Sequence, residues 1–465
     1  MPHNSPVASQ LDSRSQSDCS AAFGKRTPLR GGRRVVFWLL VAASVGLLFG
    51  RRPDAVTTPQ FWAEDGAVFF ADQYRGTVRP WTLYRGYCHL IPRVVAGVAT
   101  LLPLKQAPLV YNVSALILAA VSIAWFSLPH FRHLVKEDSL RASVCIALAV
   151  LPTAHEILAT ITNLQWYLGL WGALVCFQPI RGRRAKMLVA LAYVAAVFSA
   201  PYFALFVPIL LLRAWFRRED LTFCLGLVGI QVVYAVAILL FGDSLHLTFS
   251  ATRVRAACEW FSVRSILGVL LGPWVLMHSL RPYSTILAWT ALALFVAGAS
   301  GCLLQLRRDR GFLLFSMLAA YLAFACVMLF VATRLDALVP GQSLALLNQL
   351  QNNFVAAPRF FVLPSTLVLV WGSAAFSRLR GQRWMYAAGA AWATLMVIAS
   401  VANYRFAPRF IDYDWPLWAA RLQHSAAVGD PLPEIPINPE GWRIKGLANR
   451  PSQRRDLSLI ELTIA

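Results

Sequence analysis

An acidic pair, Glu64-Asp65, is the strongest candidate for chemistry in this sequence. It lies in the run FWAEDGAVFFAD, residues 61–72, between aromatic side chains. Two neighbouring carboxylates in an apolar setting do not both ionise freely, so one of them can act as a general base near neutral pH. The same oxygens could instead bind a divalent cation. The alternative interpretation is a solvated acidic pair at a helix start, where negative charge suits the helix dipole.

Three basic side chains follow at intervals of four residues, at Arg85, His89 and Arg93. With Pro92 near a helix start, this spacing predicts that they could meet a phosphate or diphosphate at the membrane surface. Arginine and tyrosine also anchor proteins to lipid headgroups, which is the alternative interpretation. The sequence leaves both open.

Polar groups also interrupt a pair of apolar runs further along the chain. His155 and Glu156 end one run, and Asn163 and Gln165 begin the next. Ionisable residues in or beside membrane spans are costly and are therefore candidates for function. The alternative is a locally satisfied pair that locks the hairpin between the two runs.

A fourth polar stretch, residues 334–359, contains Asn352 and ends in Arg359 at the start of an apolar run. An arginine at a helix mouth with amides nearby could hold a sugar or a lipid phosphate. For the individual amides, an ordinary hydrophilic loop is the favoured interpretation.

The elements that must position these residues are membrane helices. Of 465 residues, 58% are hydrophobic and only 14% are charged, against about a quarter in soluble domains. The net charge of +21 does not indicate nucleic acid, because the basic residues form short clusters between apolar runs, as the positive-inside rule explains. Nucleotide-binding, zinc-protease and serine-hydrolase motifs are absent from the sequence.

The basic clusters set the predicted topology. They occupy residues 132–141, 181–186, 213–218, 307–310 and 378–383. If all five are cytoplasmic, an even number of crossings separates each pair, and the ambiguous runs 90–104 and 263–280 must then be interfacial or re-entrant helices. The remaining apolar runs are 35–50, 108–128, 142–157, 164–179, 187–200, 202–213, 221–241, 284–304, 311–331, 359–376 and 384–402.

This counting predicts an all-α polytopic membrane protein with about eleven transmembrane helices, its N-terminus inside and its C-terminus outside. Residues 1–34 are expected to form a disordered basic cytoplasmic tail, and residues 35–402 the transmembrane domain. The long outer loops would be 51–107, 242–283 and 332–358, with interfacial helices in the first. Residues 403–465 would form a small extension on the outer face. Chain length invested in outer loops predicts function on that side.

This architecture resembles the C-type glycosyltransferase superfamily (GT-C), multi-spanning enzymes that use a polyprenyl-phosphate-linked sugar on the outer face. The run Phe61 to Gly66, together with GYCHLIPR at residues 86–93, is similar to a group of bacterial membrane proteins of this type. The resemblance implies a bacterial inner-membrane enzyme that transfers a sugar, with inversion, to a cell-surface glycan, lipid or protein acceptor.

The resemblance also implies roles for individual residues. Glu64 or Asp65 would be the base that deprotonates the acceptor hydroxyl, and Arg85, Arg93 or Arg359 would neutralise the leaving lipid phosphate. Better-known members carry Asp-Glu where this chain has Glu-Asp, so the choice of base stays open. The same is true of any need for Mg²⁺ or Mn²⁺.

Two other classes of protein compete with the enzyme. A transporter or flippase of lipid-linked saccharide, without catalysis, would need polar residues deep in several spans, whereas here most lie at the outer ends. A structural or assembly protein that recruits partners through its C-terminal extension is the third hypothesis.

Overall fold

The computed structural model describes residues 31–76, 79, 81–180, 182–241, 250–278, 284–338, 358–407, 409–428, 434–445 and 447. Within these ranges the chain is helical, apart from one small antiparallel sheet. The predicted N-terminal tail up to residue 30, and parts of the predicted loops and C-terminal extension, lie outside the described residues.

The helices of ten or more residues, in chain order, are α1 Gly31–Arg51, α2 Leu90–Ala99, α3 Ala107–Ala124, α4 Asp138–Ala149, α5 Gln165–Phe177, α6 Arg183–Val197, α7 Val207–Phe216, α8 Leu221–Phe241, α9 Ala251–Trp260, α10 Ser284–Gln305, α11 Arg310–Leu338, α12 Val362–Leu379, α13 Arg383–Ala402 and α14 Trp415–Val428.

Shorter segments connect them. Those in the α or π form are Asp54–Thr57, Asp65–Phe70, Ala71–Arg75, Phe261–Leu267, Gly268–Leu270 and Gly272–His278. Those in the 3₁₀ form are Leu104–Gln106, Trp125–Ser127, Pro129–Phe131, Pro152–Ile157, Thr162–Leu164, Pro201–Phe206, Arg218–Asp220 and Pro358–Phe361. Strands β1 Ile435–Ile437 and β2 Trp442–Ile444 form an antiparallel pair.

Seven helices in the described part of the chain are long and apolar enough to cross a membrane, as expected of a multi-pass membrane protein. They are Arg34–Arg51, Leu104–Ser127, Arg218–Leu240, Thr285–Gln305, Arg310–Ala332, Pro358–Leu379 and Arg383–Ala402. Three of the four helices between residues 138 and 216, α4, α5 and α7, are shorter than their apolar runs predict. Prolines explain part of this difference, because a proline cannot continue a helix. Pro152 lies just after α4, Pro179 lies just after α5, and Pro201 lies before α7.

One end of the helical bundle gathers the basic clusters, and we call it the Arg213 end. There Arg213 pairs with Asp220 at 2.8 Å and donates to the Val175 carbonyl at 2.8 Å. Lys186 reaches the same Asp220 carboxylate at 2.9 Å. These bonds join the end of α5, the start of α6 and the turn between α7 and α8.

The remaining basic clusters meet at the same end. Arg378 donates to the Leu134 carbonyl at 2.6 Å and pairs with Asp309 at 2.8 Å. The Trp125 indole donates to Gln178 at 2.7 Å, which connects this group of contacts to the end of α5. The loops that carry the five clusters of the sequence therefore lie together.

The other end carries the acidic pair, and we call it the Asp65 end. It brings together the end of α1, the turn between α4 and α5, and the starts of α5 and α12. Short helices at this end lie within the described parts of the ambiguous stretches 90–104 and 263–280: α2 in the first, and Gly268–Leu270 and Gly272–His278 in the second. The Leu90 amide donates to the Phe198 carbonyl at 3.3 Å, and the Trp274 amide donates to Asn403 at 2.8 Å.

Candidate functional site

The acidic segment, residues 61–72, is held by the C-terminal part of the chain. The backbone N–H of Ala63 donates to the backbone carbonyl of Asn438, and the backbone N–H of Asn438 donates to the Phe61 carbonyl at 3.1 Å. The Asn438 side chain in turn donates to the Ile411 carbonyl at 2.9 Å. Phe61 is buried edge-on against Trp415 at 4.7 Å between ring centroids. The segment is therefore held both by backbone hydrogen bonds and by the packing of its side chains.

Two backbone features shape the segment around Glu64. Ala63 has φ +39°, in the left-handed region that a non-glycine residue occupies only at a cost. A Cβ on Gly66 would lie 2.8 Å from the Cβ of Phe61 and 2.9 Å from the Cδ1 of Ile437. Close packing thus demands glycine at position 66, and the strained residue directly precedes the first carboxylate.

Asp65 is fully buried and its carboxylate is occupied by three donors. The backbone N–H groups of Ile161 and Thr162 donate to it at 3.0 and 2.9 Å, and the Thr162 hydroxyl also donates. Burial raises the pKa of Asp65 to about 7, although these hydrogen bonds oppose the rise, and the neighbouring Glu64 adds to it slightly. Asp65 therefore fixes the turn before α5 to the acidic segment.

Glu64 has different surroundings from its neighbour. It is half-buried, and no hydrogen bond or ion pair joins it to another side chain in the part of the chain that the structure describes. Of the two carboxylates, Glu64 is therefore the one whose oxygens can reach an incoming hydroxyl. Sequence reasoning left this choice open.

The acidic pair does not fit the divalent-cation site that its composition suggested. Both oxygens of Asp65 face N–H or O–H donors, whose positive ends repel a cation. Among the described residues, no group of three or more His, Cys, Asp or Glu side chains is placed to hold a metal ion. A metal bound here would depend on Glu64 alone.

The four-residue spacing of Arg85, His89 and Arg93 does not place them on one helix face, because α2 begins only at Leu90. The His89 ring stacks on Tyr87 at 3.7 Å, and its Nδ1 lies 3.2 Å from the Tyr87 carbonyl. Burial lowers the pKa of His89 to about 3. Its ring is therefore neutral at physiological pH and does not supply a positive charge to a phosphate.

The two arginines of that motif differ in their surroundings. Arg93 is buried, pairs with Asp72 at 3.3 Å and donates to the Cys88 carbonyl at 3.1 Å. Arg85 is exposed, has φ +52°, and lies 5.9 Å from the Tyr84 ring. The geometry favours a structural role for Arg93, whose charge Asp72 neutralises, and leaves Arg85 at the surface.

The structure joins Glu156 and Arg359, which are 203 residues apart, in an ion pair. The Arg359 amide also donates to the Glu156 carboxylate at 3.3 Å. Asn163 is buried next to the turn that Asp65 holds, and Gln165 accepts a hydrogen bond from the Tyr87 hydroxyl at 3.3 Å. Asn352, the remaining candidate, lies outside the described residues.

Arg52 connects the acidic segment to a group of basic residues that sequence reasoning did not select. Its guanidinium lies 4.9 Å from the ring of Trp62 and 4.0 Å from that of Phe410, and it donates to the Leu158 carbonyl at 3.2 Å. In the sequence, Arg52 appears only as a charge that flanks the first helix.

Arg51, Arg264 and His155 are buried close to Arg52. Burial lowers the pKa of His155 to about 3, and repulsion from all three guanidinium groups adds to the effect. Arg264 lies 5.2 Å from the Trp260 ring. The sequence does contain a signal for Arg264, because this residue falls inside the apolar run 263–280, where a charge is costly.

Fold and site together define a multi-pass helical membrane protein that collects an available carboxylate and buried guanidinium groups at one end. The chain matches no protein-family model, no curated protein and no solved structure.

Proposed function

We propose that this protein is a membrane glycosyltransferase that moves a sugar from a polyprenyl-phosphate donor to a cell-surface glycan, lipid or protein on the outer face of the bacterial inner membrane. The observation that carries the proposal is the placement of Glu64, half-buried without a partner among the described residues, two positions after the ring that Arg52 covers. A base and a phosphate-stabilising cation are the two groups that such a transfer needs at one membrane depth.

In the proposed topology, α4, α5, α6 and α7 cross the membrane in addition to the seven long apolar helices, which gives eleven spans. The Arg213 end faces the cytoplasm, because basic loops are retained there. The Asp65 end then faces outward, with α2 and residues 261–278 at the outer interface. Thinning of the bilayer, or the 3₁₀ turns at their ends, would accommodate the short helices.

The reaction follows from these positions. Glu64 accepts the proton of the acceptor hydroxyl while the oxygen of that hydroxyl attacks the anomeric carbon of the donor sugar. The bond between that carbon and the phosphate oxygen breaks, and the lipid phosphate leaves with the electron pair. Attack opposite the leaving group inverts the anomeric carbon. Nearby guanidinium groups stabilise the charge that develops on the phosphate. Asp65 positions the acidic segment and takes no part in the proton transfer.

The test is a Glu64→Gln variant in a strain that lacks the native gene, with Glu440→Gln as the control, since Glu440 is an exposed carboxylate at the same end. Surface glycans and lipid-linked sugars are profiled. We expect Glu64→Gln to insert at the normal level, lose a glycan and accumulate its donor, and Glu440→Gln to behave as the native protein.

The location of the accumulated donor separates transfer from transport. Under the proposal it lies in the outer leaflet, where a membrane-impermeant oxidant such as periodate reaches its sugar. Donor that is protected from periodate would support a flippase instead. Unchanged glycans and donor pools in Glu64→Gln, with a clear defect in the deletion strain, would refute the proposed function.

A further inference from the structure

Arg51, the last residue of α1, is a buried guanidinium without a carboxylate partner in the described part of the chain. It is 2% exposed and donates through Nη1 to the Ala149 carbonyl at 3.1 Å. Its Nε has no acceptor among the described residues. A guanidinium has five N–H donors, and an unpaired charge in a low-dielectric interior is costly. The position of Arg51 therefore favours an anion.

Other buried polar atoms without a described partner cluster in the adjacent chain segment, residues 153–160. They are Thr153 Oγ1, His155 Nε2 and Thr160 Oγ1. His155 is 1% exposed. Buried polar groups in proteins are nearly always hydrogen-bonded. Thr153 Oγ1, Thr160 Oγ1 and Arg51 Nε can each donate a hydrogen bond, whereas His155 Nε2 accepts one, because Nδ1 is the ring nitrogen that donates to the Pro152 carbonyl. Three such donors around one turn indicate that the turn binds a polar ligand with several acceptor oxygens.

Arg52 and Arg264 add positive charge on two sides of this turn. Arg52 donates to the Leu158 carbonyl at 3.2 Å. Arg264 belongs to the segment 261–267, and Gly268, which directly follows that segment, packs on the turn: the Thr153 methyl lies 2.8 Å from where a Cβ on Gly268 would be. Three guanidinium groups thus converge on residues 153–160, while the nearest carboxylate of that stretch, Glu156, is paired with Arg359.

A surface groove of about 560 Å³ lies beside this turn, with Phe406 between the two. It is lined by Trp274, Val401, Ala402, Tyr404, Arg405 and Phe406. The Phe406 ring meets the His155 ring edge-on at 4.9 Å, and the Tyr404 hydroxyl donates to the Leu47 carbonyl, one turn before Arg51, at 3.0 Å. Val401, at the rim, is 72% exposed at the end of a membrane helix, so the groove opens where lipid would lie.

We propose that Arg51, Arg52 and Arg264, with the polar turn 153–160, form a binding site for the phosphate group of a membrane lipid, which enters through this groove. Guanidinium groups suit phosphate because their planar donors match its oxygens in pairs. Assigning the phosphate to the sugar-donor lipid rests on the proposed function. The phosphate site itself does not, since a phospholipid headgroup has the same chemistry.

The experiment uses the full chain in micelles of a maltoside detergent, which carries no phosphate, and three probes. These are a polyprenyl monophosphate, phosphatidylglycerol and inorganic phosphate, with bound species counted by native mass spectrometry. The variant is Arg51→Gln, and the control is Arg409→Gln, an exposed arginine at the same end. Losing charge-assisted hydrogen bonds to the phosphate should weaken binding about tenfold to hundredfold. Arg409→Gln should bind as the native chain does.

Each outcome decides the proposal. Preferential binding of the polyprenyl monophosphate, lost in Arg51→Gln, supports the site and its donor. Preferential binding of phosphatidylglycerol, lost in the same variant, supports the site while removing the donor assignment. Native binding by Arg51→Gln, binding of inorganic phosphate alone, or no binding of any probe by the native chain overturns it. If Arg51→Gln does not fold, Thr160→Val supplies the same comparison without removing a charge.

Discussion

Replacing Asp65 by alanine should destabilise the fold most strongly in mild acid. The variant leaves the backbone N–H groups of Ile161 and Thr162 buried without an acceptor, while the Thr162 hydroxyl can rotate away. Each orphaned buried donor costs about 1–3 kcal/mol, so two of them cost about 2–6 kcal/mol. This loss should be seen in full at or below about pH 4, where the Asp65 carboxyl is protonated in the folded chain and about half-protonated or more in the unfolded chain.

The effect should then shrink as the pH rises. Because burial raises the pKa of Asp65 from 3.8 to about 7, the folded state holds this proton more tightly than the unfolded state does. The native chain therefore loses stability between about pH 4 and pH 7, by up to ~1.4 kcal/mol per pH unit. Asp65→Ala lacks this titration. The free energies of unfolding of the native chain and of the variant therefore converge as the pH rises toward neutral.

The assay is reversible unfolding in mixed micelles, titrated with a denaturing detergent and followed by tryptophan fluorescence at pH 4, 5, 6, 7 and 8. Glu440→Gln serves as the control and should stay within about 0.5 kcal/mol of the native chain at every pH. A cost below about 1 kcal/mol for Asp65→Ala at pH 4 would contradict the hydrogen-bond assignment. A difference that grows with pH would contradict the raised pKa.

The same unfolding assay tests two packing contacts. Gly66→Ala should cost about 1–3 kcal/mol, because its Cβ meets side chains below 3 Å. Gly301→Ala, which faces open space in α10, should instead stabilise by up to ~1 kcal/mol, and equal effects at the two glycines would refute the clash. Arg359→Met should lower the free energy of unfolding by about 1–3 kcal/mol, because it leaves the Glu156 carboxylate unpaired. This loss is smaller than that for a fully buried ion pair, since Arg359 is partly exposed. Adding Glu156→Gln should recover most of that loss, and no recovery would show that the pair contributes through packing alone.

Charge patterning predicted more of the fold than hydrophobic length did. The five basic clusters were expected on one side, and contacts such as Arg378 with Asp309 and Lys186 with Asp220 bring their loops to one end of the bundle. Run length alone is misleading for α4 and α5. Both helices end before their apolar runs do, close to Pro152 and Pro179. Only seven described helices reach spanning length, so the count of eleven and the orientation stay predictions.

The candidate site could be predicted only where a residue stands out locally. Glu64-Asp65 is conspicuous because acids are scarce in this chain. The partners of Asp65 are two backbone amides and a hydroxyl about a hundred residues away, and no sequence pattern marks them. Arg51 and Arg52 are hidden for a different reason. Arginines beside a membrane helix are common, and only the folded chain shows these two turned inward.

The two carboxylates of the acidic pair have different surroundings. Ala63 has φ +39°, a strained conformation between the ring that Arg52 covers and the π-helical turn that begins at Asp65. The Asp65 carboxylate is buried and held by three donors, whereas Glu64 is only half-buried. A base must exchange protons with its substrate, which a carboxylate with three buried donors does poorly. Under the proposed function, Glu64 is therefore the carboxylate of the pair that is better suited to act as the base.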